Sequence, residues 1–143
     1  MKLLFDSNVL ISAWVAHGLC RDLVRLAAGL HDLSIITLCY CPTLEREVLG
    51  HLRGKFGASE QQCAVAHDFF HAIESVADGH EWLPPTDFPD LDDAPIVGAA
   101  LAAGADLFVT GDKALLALDA VEGLPIRSPR DAFIRLRGLP GGH

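Results

Sequence analysis

The sequence predicts an α/β fold, a single domain of three layers with a mainly parallel sheet between helices, and three observations carry that prediction. Short apolar runs stop abruptly at polar turn residues, as in Lys2-Leu3-Leu4-Phe5 before Asp6-Ser7-Asn8 and Leu107-Phe108-Val109 before Thr110-Gly111-Asp112. Unbroken apolar runs mark parallel strands covered on both faces. Between them the apolar spacing turns helical, so strands and helices alternate along the chain. Finally, 143 residues with 50% apolar content suit one core, since a chain of this size buries roughly 68 to 70% of its unfolded surface.

Each element follows from local chemistry. After the first strand, 8–16 and 19–28 read as helices separated by Gly18 and closed near Gly29. The Ile- and Thr-rich stretch 34–39 reads as the second strand. Pro42 opens a helix in its first turn, where the missing N–H costs nothing, and Leu44, Val48, Leu49 and Leu52 form its apolar stripe. Ser59 opens a longer helix to about Ala77, with Val65, Phe69, Ala72, Ile73 and Val76 as its apolar face. From Glu74 to Asp93 there are seven acids, no Lys or Arg, and three prolines, so a weak strand around Trp82 and then a loop are expected. Residues 93–103 read as a helix with Asp92 as cap and Pro95 in the first turn. A strand over 106–110, a short helix over 112–118, a last strand at 125–127 and a last helix over 129–136 complete the chain. No internal repeat, linker or low-complexity segment appears.

The net charge of −8 argues against nucleic-acid binding through overall basicity, though not against a nuclease with a local basic rim. Leu3 to Phe5 is too short for the core of a signal peptide, which needs about 7 to 15 residues. No run approaches the roughly 18 apolar residues of a membrane span, so a soluble, cytoplasmic protein without membrane contact is expected. The four cysteines, Cys20, Cys39, Cys41 and Cys63, lack zinc or redox spacing and read as small buried thiols.

The acids carry the functional signal. In parallel sheets the ligand site lies beyond the carboxyl ends of the strands. Asp6 ends the first strand, Asp112 follows a later one, Asp93 begins a helix, and Glu47 lies one turn into the helix after strand two. Taken singly, such an Asp is equally explained as a helix N-cap. Converging carboxylates disfavour one another's ionised forms, and a hard divalent cation relieves that repulsion. All-oxygen ligation points to Mg²⁺ or Mn²⁺, and such a cation suits phosphodiester hydrolysis.

These residues also carry a family resemblance. The segments 3–10 (Leu-Phe-Asp-Ser-Asn at its centre), 42–49 (Pro-Thr-Leu-Glu-Arg-Glu-Val-Leu), 90–100 (Asp-Leu-Asp-Asp-Ala-Pro and onward) and 104–113 (ending Val-Thr-Gly-Asp-Lys) resemble, in order, those of a PIN domain. The likeness is to the compact prokaryotic type that serves as toxins of toxin–antitoxin pairs, and it fades only after about Arg130. It implies a PIN-like fold with a sheet of about five parallel strands and a Mg²⁺- or Mn²⁺-dependent ribonuclease. Carried over by position, Asp6, Glu47, Asp93 and Asp112 are the metal and catalytic cluster. Thr110 and Asn8 match the family's polar positions beside it, with turn chemistry as their plainer explanation. Asp90 stands behind Asp93 as a supporting acid. Glu45 and Glu47 lie about 200° apart on a helix, so one alone faces the cluster, and Glu47 is chosen from its distance to Pro42. Leu91 replaces a Pro common in the family, which touches the loop's conformation more than the acid.

His67 and His71 have the i, i+4 spacing of a zincin helix, with Glu74 one turn on. The expected Glu after the first His is Asp68, and the helix's apolar face turns both histidines to solvent. For attracting RNA, Arg46, Arg53 and Lys55, or Arg127, Arg130, Arg135 and Arg137, offer phosphate-binding cations. The resemblance implies a small antitoxin that covers the groove, and a homodimer. Two readings stand beside the ribonuclease: a non-catalytic PIN-like interaction module, which would be expected to lose acids, and a phosphatase on a similar sheet. The haloacid-dehalogenase type of phosphatase wants a second Asp two residues after the first, where this chain has Asn8.

Overall fold

A computed structural model describes residues 1–143. The chain forms β1 (Lys2–Phe5), α1 (Ser7–Val15), α2 (Leu19–Asp32), β2 (Thr37–Tyr40), α3 (Pro42–Gly54), α4 (Glu60–His71) and β3 (Glu74–Ser75). A 3₁₀ turn (Leu91–Asp93) leads into α5 (Ala94–Ala102), followed by β4 (Leu107–Val109), α6 (Lys113–Leu116), β5 (Ala120–Val121), β6 (Leu124–Arg127) and α7 (Pro129–Arg137). The architecture is three-layered α/β/α, as the sequence predicts, and no helix is long and apolar enough to cross a membrane.

The sheet has six strands in the order β3-β2-β1-β4-β6-β5. All pairings are parallel except that of β5 with β6. The chain builds outward from β1 through β2 to β3, then crosses back to lay β4 on the other side of β1. The β1–β4 boundary is therefore where the winding reverses, and a crevice opens there beyond the strand ends. Leu3, Leu4 and Phe5, like Leu107, Phe108 and Val109, are buried, which is why neither strand shows polar alternation. Register completes the placement: Phe5 pairs with Val109, and the Asp6 N–H donates to the Val109 carbonyl at 2.8 Å. Asp6 and Thr110 must then leave the sheet side by side.

Four expectations are corrected. The sixth strand, β5, arises from a tight hairpin in which Glu122 and Gly123 both take positive φ (48° and 83°), the backbone of a two-residue turn; two residues are too few to show a period. The third strand lies at Glu74–Ser75 and not at Trp82, and α4 ends at His71 well short of Ala77. Glu74 and Ser75 extend along β2, and the Val76 N–H donates to the Tyr40 carbonyl at 2.8 Å. Trp82 instead packs edge-on against Phe88 and donates its indole N–H to Glu122. The buried face of α4 is Cys63, Ala66 and Phe70, leaving Val65 58% exposed. With Phe69 and Phe70 adjacent, either fits an apolar stripe; Phe70 enters the core against Tyr40 and Trp14. Finally, Asp90, not Asp92, caps the 3₁₀ turn, its Oδ1 accepting from the Asp92 N–H at 2.9 Å.

All four cysteines are free, with Cys39, Cys41 and Cys63 buried. Burial pushes the Cys39 and Cys41 thiols up to about 12, with Glu74 adding to the shift at Cys39, so both stay protonated and inert. His67 and His71 are exposed and their rings stack at 4.1 Å.

Candidate functional site

Asp6 lies at the centre of the crevice. It is 2% exposed and is the N-cap of α1, its Oδ1 accepting from the Ser7 N–H at 2.8 Å. Its Oδ2 accepts from the Thr110 hydroxyl at 2.8 Å and the Asn8 amide at 3.1 Å. No Lys, Arg or His pairs with it. A buried carboxylate without a cation is costly to ionise. Accordingly burial raises its pKa, against the lowering by the Thr110, Ser7 and Asn8 hydrogen bonds and with a further push upward from Asp112.

Thr110 and Asn8 form the frame around that carboxylate. The fully buried Thr110 hydroxyl donates to Asp6 and accepts from the Asp112 N–H at 3.0 Å and the Asn8 amide at 3.3 Å. The Asn8 Oδ1 accepts from the Gly111 N–H at 2.9 Å, which fixes which end of its amide faces Asp6. Asp112 caps α6, its Oδ1 accepting from Ala114 and Leu115 N–H groups at 2.8 and 3.3 Å; its Oδ2 remains unbonded. The plain explanation of Thr110 and Asn8 as turn residues is therefore incomplete, since both reach across to Asp6.

The other acids arrive from separate elements. Asp93 ends the 3₁₀ turn and gives no side-chain cap to α5. Its carboxyl is pushed up to about 7, first by burial and then by Asp6, Asp90, Asp112 and Glu47. Glu47, half-buried on α3, is raised by burial and by Asp6, opposed by a hydrogen bond from the Ser7 hydroxyl at 3.4 Å and by His51. Asp6, Glu47, Asp93 and Asp112 thus lie within one another's fields, and Asp90 adds to the charge on Asp93. Glu45, on the other side of α3, makes no hydrogen bond through its buried Oε2 and takes no part.

Three contributions are not evident from sequence. Ser7 joins Asp6 to Glu47, and its signal was only its place at the start of α1. Asp78 caps α3 from a distant loop: its Oδ1 accepts from the Thr43 N–H at 2.9 Å, while His80 lies 3.3 Å from its Oδ2. Burial works to raise the Asp78 pKa, but the Thr43 and Cys41 hydrogen bonds and His80 outweigh it, and the net shift is downward. Gly79 and Gly98 let this loop touch α5; a Cβ on Gly98 would sit 2.6 Å from the Gly79 carbonyl oxygen.

The arrangement fits a hard divalent cation in one respect and restrains the picture in another. Every donor is an oxygen, and the buried acid at the centre has no positive partner, so a cation supplies what the site lacks. Yet no three His, Cys, Asp or Glu side chains are arranged to grip one ion between them. Mg²⁺ typically keeps several waters and takes one or two carboxylates directly, which suits acids that surround a space without closing on it. The histidine pair on α4 likewise gathers no third ligand.

The fold is shared with VapBC2 from Rickettsia felis, whose crystal structure shows it bound to a DNA fragment from its promoter. The superposition covers 90% of this chain and 98% of that chain with a TM-score of 0.61 at 14% identity. No curated protein matches the chain. The PIN domain pattern matches residues 2–114, a span that holds all the acids described above. With four fifths of its length accounted for in this way, the chain belongs to the PIN domain family.

Proposed function

We propose that this PIN domain, taking 1–143 as one unit, is a Mg²⁺- or Mn²⁺-dependent endoribonuclease with Asp6, Glu47, Asp93 and Asp112 as its catalytic and metal-holding acids. The observation that carries the reading is that Asp6, buried at the end of β1 with no cationic partner, is joined at the same crevice by Glu47, Asp93 and Asp112; burial first, and then neighbouring acids, raise the pKa values of Asp6, Glu47 and Asp93. A cation held there polarises water and balances charge on a phosphoryl group. Asp6 supplies a carboxylate fixed on both oxygens, and Asp112 presents its free Oδ2. Asp93, its carboxyl pushed up to about 7 by burial and then by the surrounding acids, adjusts its charge to what occupies the site. Glu47, half-buried at the edge of the cluster and steadied by the Ser7 hydroxyl, is suited to take a proton from an attacking water. Asn8 and Thr110 hold the frame, and Asp90 tunes Asp93.

The segments that resemble prokaryotic PIN toxins, with a fold shared with VapBC2, support a toxin of a toxin–antitoxin pair. In that reading the protein is cytoplasmic, homodimeric, and held by a small antitoxin. Cleavage of labelled single-stranded and hairpin RNAs by wild type and Asp6→Asn, with Mg²⁺, Mn²⁺ or EDTA, tests the proposal. Expected is metal-dependent cleavage that falls by at least about a hundredfold in the variant, in line with loss of a central electrostatic group. Equal cleavage by the two proteins, or cleavage undiminished in EDTA, overturns it.

A further inference from the structure

The cluster opens into a groove of about 430 Å³ between α1 and α3, lined by Ser7, Asn8, Ser12, His51, Lys55 and Phe56 among others. Ser7 and Asn8 belong to both, so the groove is continuous with the acids. Along α3 and its C-cap, Glu47 of the cluster is followed at i+4 and i+8 by His51 and Lys55, which line the groove. Successive members advance about 6 Å along the axis, and the series changes from anionic to basic as it leaves the cluster. In a chain with 19 acids and 11 Lys and Arg, neither His51 nor Lys55 has a carboxylate partner. At the far end Phe56 is 45% exposed, and the Lys55 ammonium stands 5.8 Å from its ring centroid. A second groove on the other side of α1 shares Asn8 and Ser12 but is lined by Cys20, Gly111, Asp112 and Pro129, with no cation.

Building on the nuclease reading above, we infer that the α1–α3 groove guides one flank of a single-stranded RNA away from the cleavage point, with His51 and Lys55 on successive phosphates and Phe56 stacked on a base. The asymmetry of charge between the two grooves selects this side. Phosphates are repelled by Asp112 and attracted by Lys55. An exposed aromatic ring set beside a phosphate-binding cation is the arrangement that holds unpaired bases, since a base still stacked in a duplex offers no face to it. The ring's partner Lys55 adds a cation–π contact that keeps both side chains over the groove.

The test is fluorescence anisotropy with a labelled oligouridylate or oligoadenylate in EDTA, where no cleavage occurs, across a salt series. Compared are wild type, Lys55→Gln, His51→Gln, Phe56→Ala and the control Arg25→Gln, all at exposed positions. Lys55→Gln is expected to reduce the slope of log affinity against log salt by about 0.7, the value of one phosphate on a single strand. Phe56→Ala is expected to weaken binding about fivefold or more with the slope retained. Arg25→Gln, on α2 and outside the groove, leaves both unchanged. Three results overturn the inference: slopes and affinities untouched by Lys55→Gln and Phe56→Ala, which would give the groove to a protein partner; an equal effect of Arg25→Gln; or equal binding of a duplex. Because binding is read without metal, the outcome is independent of whether cleavage is observed in the nuclease assay.

Discussion

Thr110 is the residue on which the candidate site turns, because one hydroxyl meets Asp6, Asn8 and the backbone of Asp112. Thr110→Val keeps the shape and removes those bonds, leaving the Asp112 N–H without a partner and the buried Asp6 Oδ2 with the Asn8 amide alone. A loss of about 1 to 3 kcal/mol in urea-measured stability is expected, with cleavage falling as well. Asp93 gives a pH signature of defined sign. Its folded pKa of about 7 lies above the ordinary 3.8, so the folded protein binds the extra proton and its contribution to stability declines as pH rises between those values. A cation reverses this by favouring the ionised form. The rise in Tm on adding Mg²⁺ is therefore expected to be larger near about pH 8 than near about pH 5; an equal rise at both would detach Asp93 from the metal. The positions of Asp6, Asp93 and Asp112 were legible in sequence because each follows a strand or opens a helix, where apolar pattern meets polar residue, whereas Glu47 lies inside α3 and was chosen from its distance to Pro42. Ser7 and Asp78 were not, since each acts through a contact far away along the chain that no local pattern encodes.

At the scale of elements, α3 depends on a cap from outside itself. Cys41 precedes it without a capping side chain, and Asp78 supplies the acceptor from beyond β3. Asp78→Ala is expected to cost about 0.5 to 2 kcal/mol, a penalty visible in denaturant melts near neutral pH. The Asp78 pKa is lowered, so its stabilising effect is present above the unfolded value of 3.8 and fades as pH falls through and below it. Wild type and variant should thus converge in acid, opposite in sign to the Asp93 effect. The loop that carries Asp78 is clamped through Gly79 against Gly98, and Gly98→Ala should cost about 1 to 3 kcal/mol by overpacking, read as a lowered Tm. β1 was legible from its unbroken apolar run ending at polar turn residues, and α3 from its helical apolar stripe. The two-residue β3 and β5 were not, because pairing with a neighbour, not composition, makes such short segments strands.

For the whole molecule, fold class and winding follow from alternation and from unbroken apolar strands, whereas sheet order does not, because register between β1 and β4 depends on residues more than a hundred positions apart. The strand order β3-β2-β1-β4-β6-β5 has a consequence for synthesis. The first strand to leave the ribosome is a central one, and its second neighbour is among the last. A growing chain can pair β1 with β2 early, yet Asp6 lacks Thr110 and Asp112 until the segment around β4 has emerged. Under the nuclease reading, a chain cut short before Asp112 is harmless to the messenger and ribosome producing it, and cutting power arrives only once β4 and the residues beyond it have taken their place. If its proposed substrate class includes its own template, late assembly would be a safeguard written into topology.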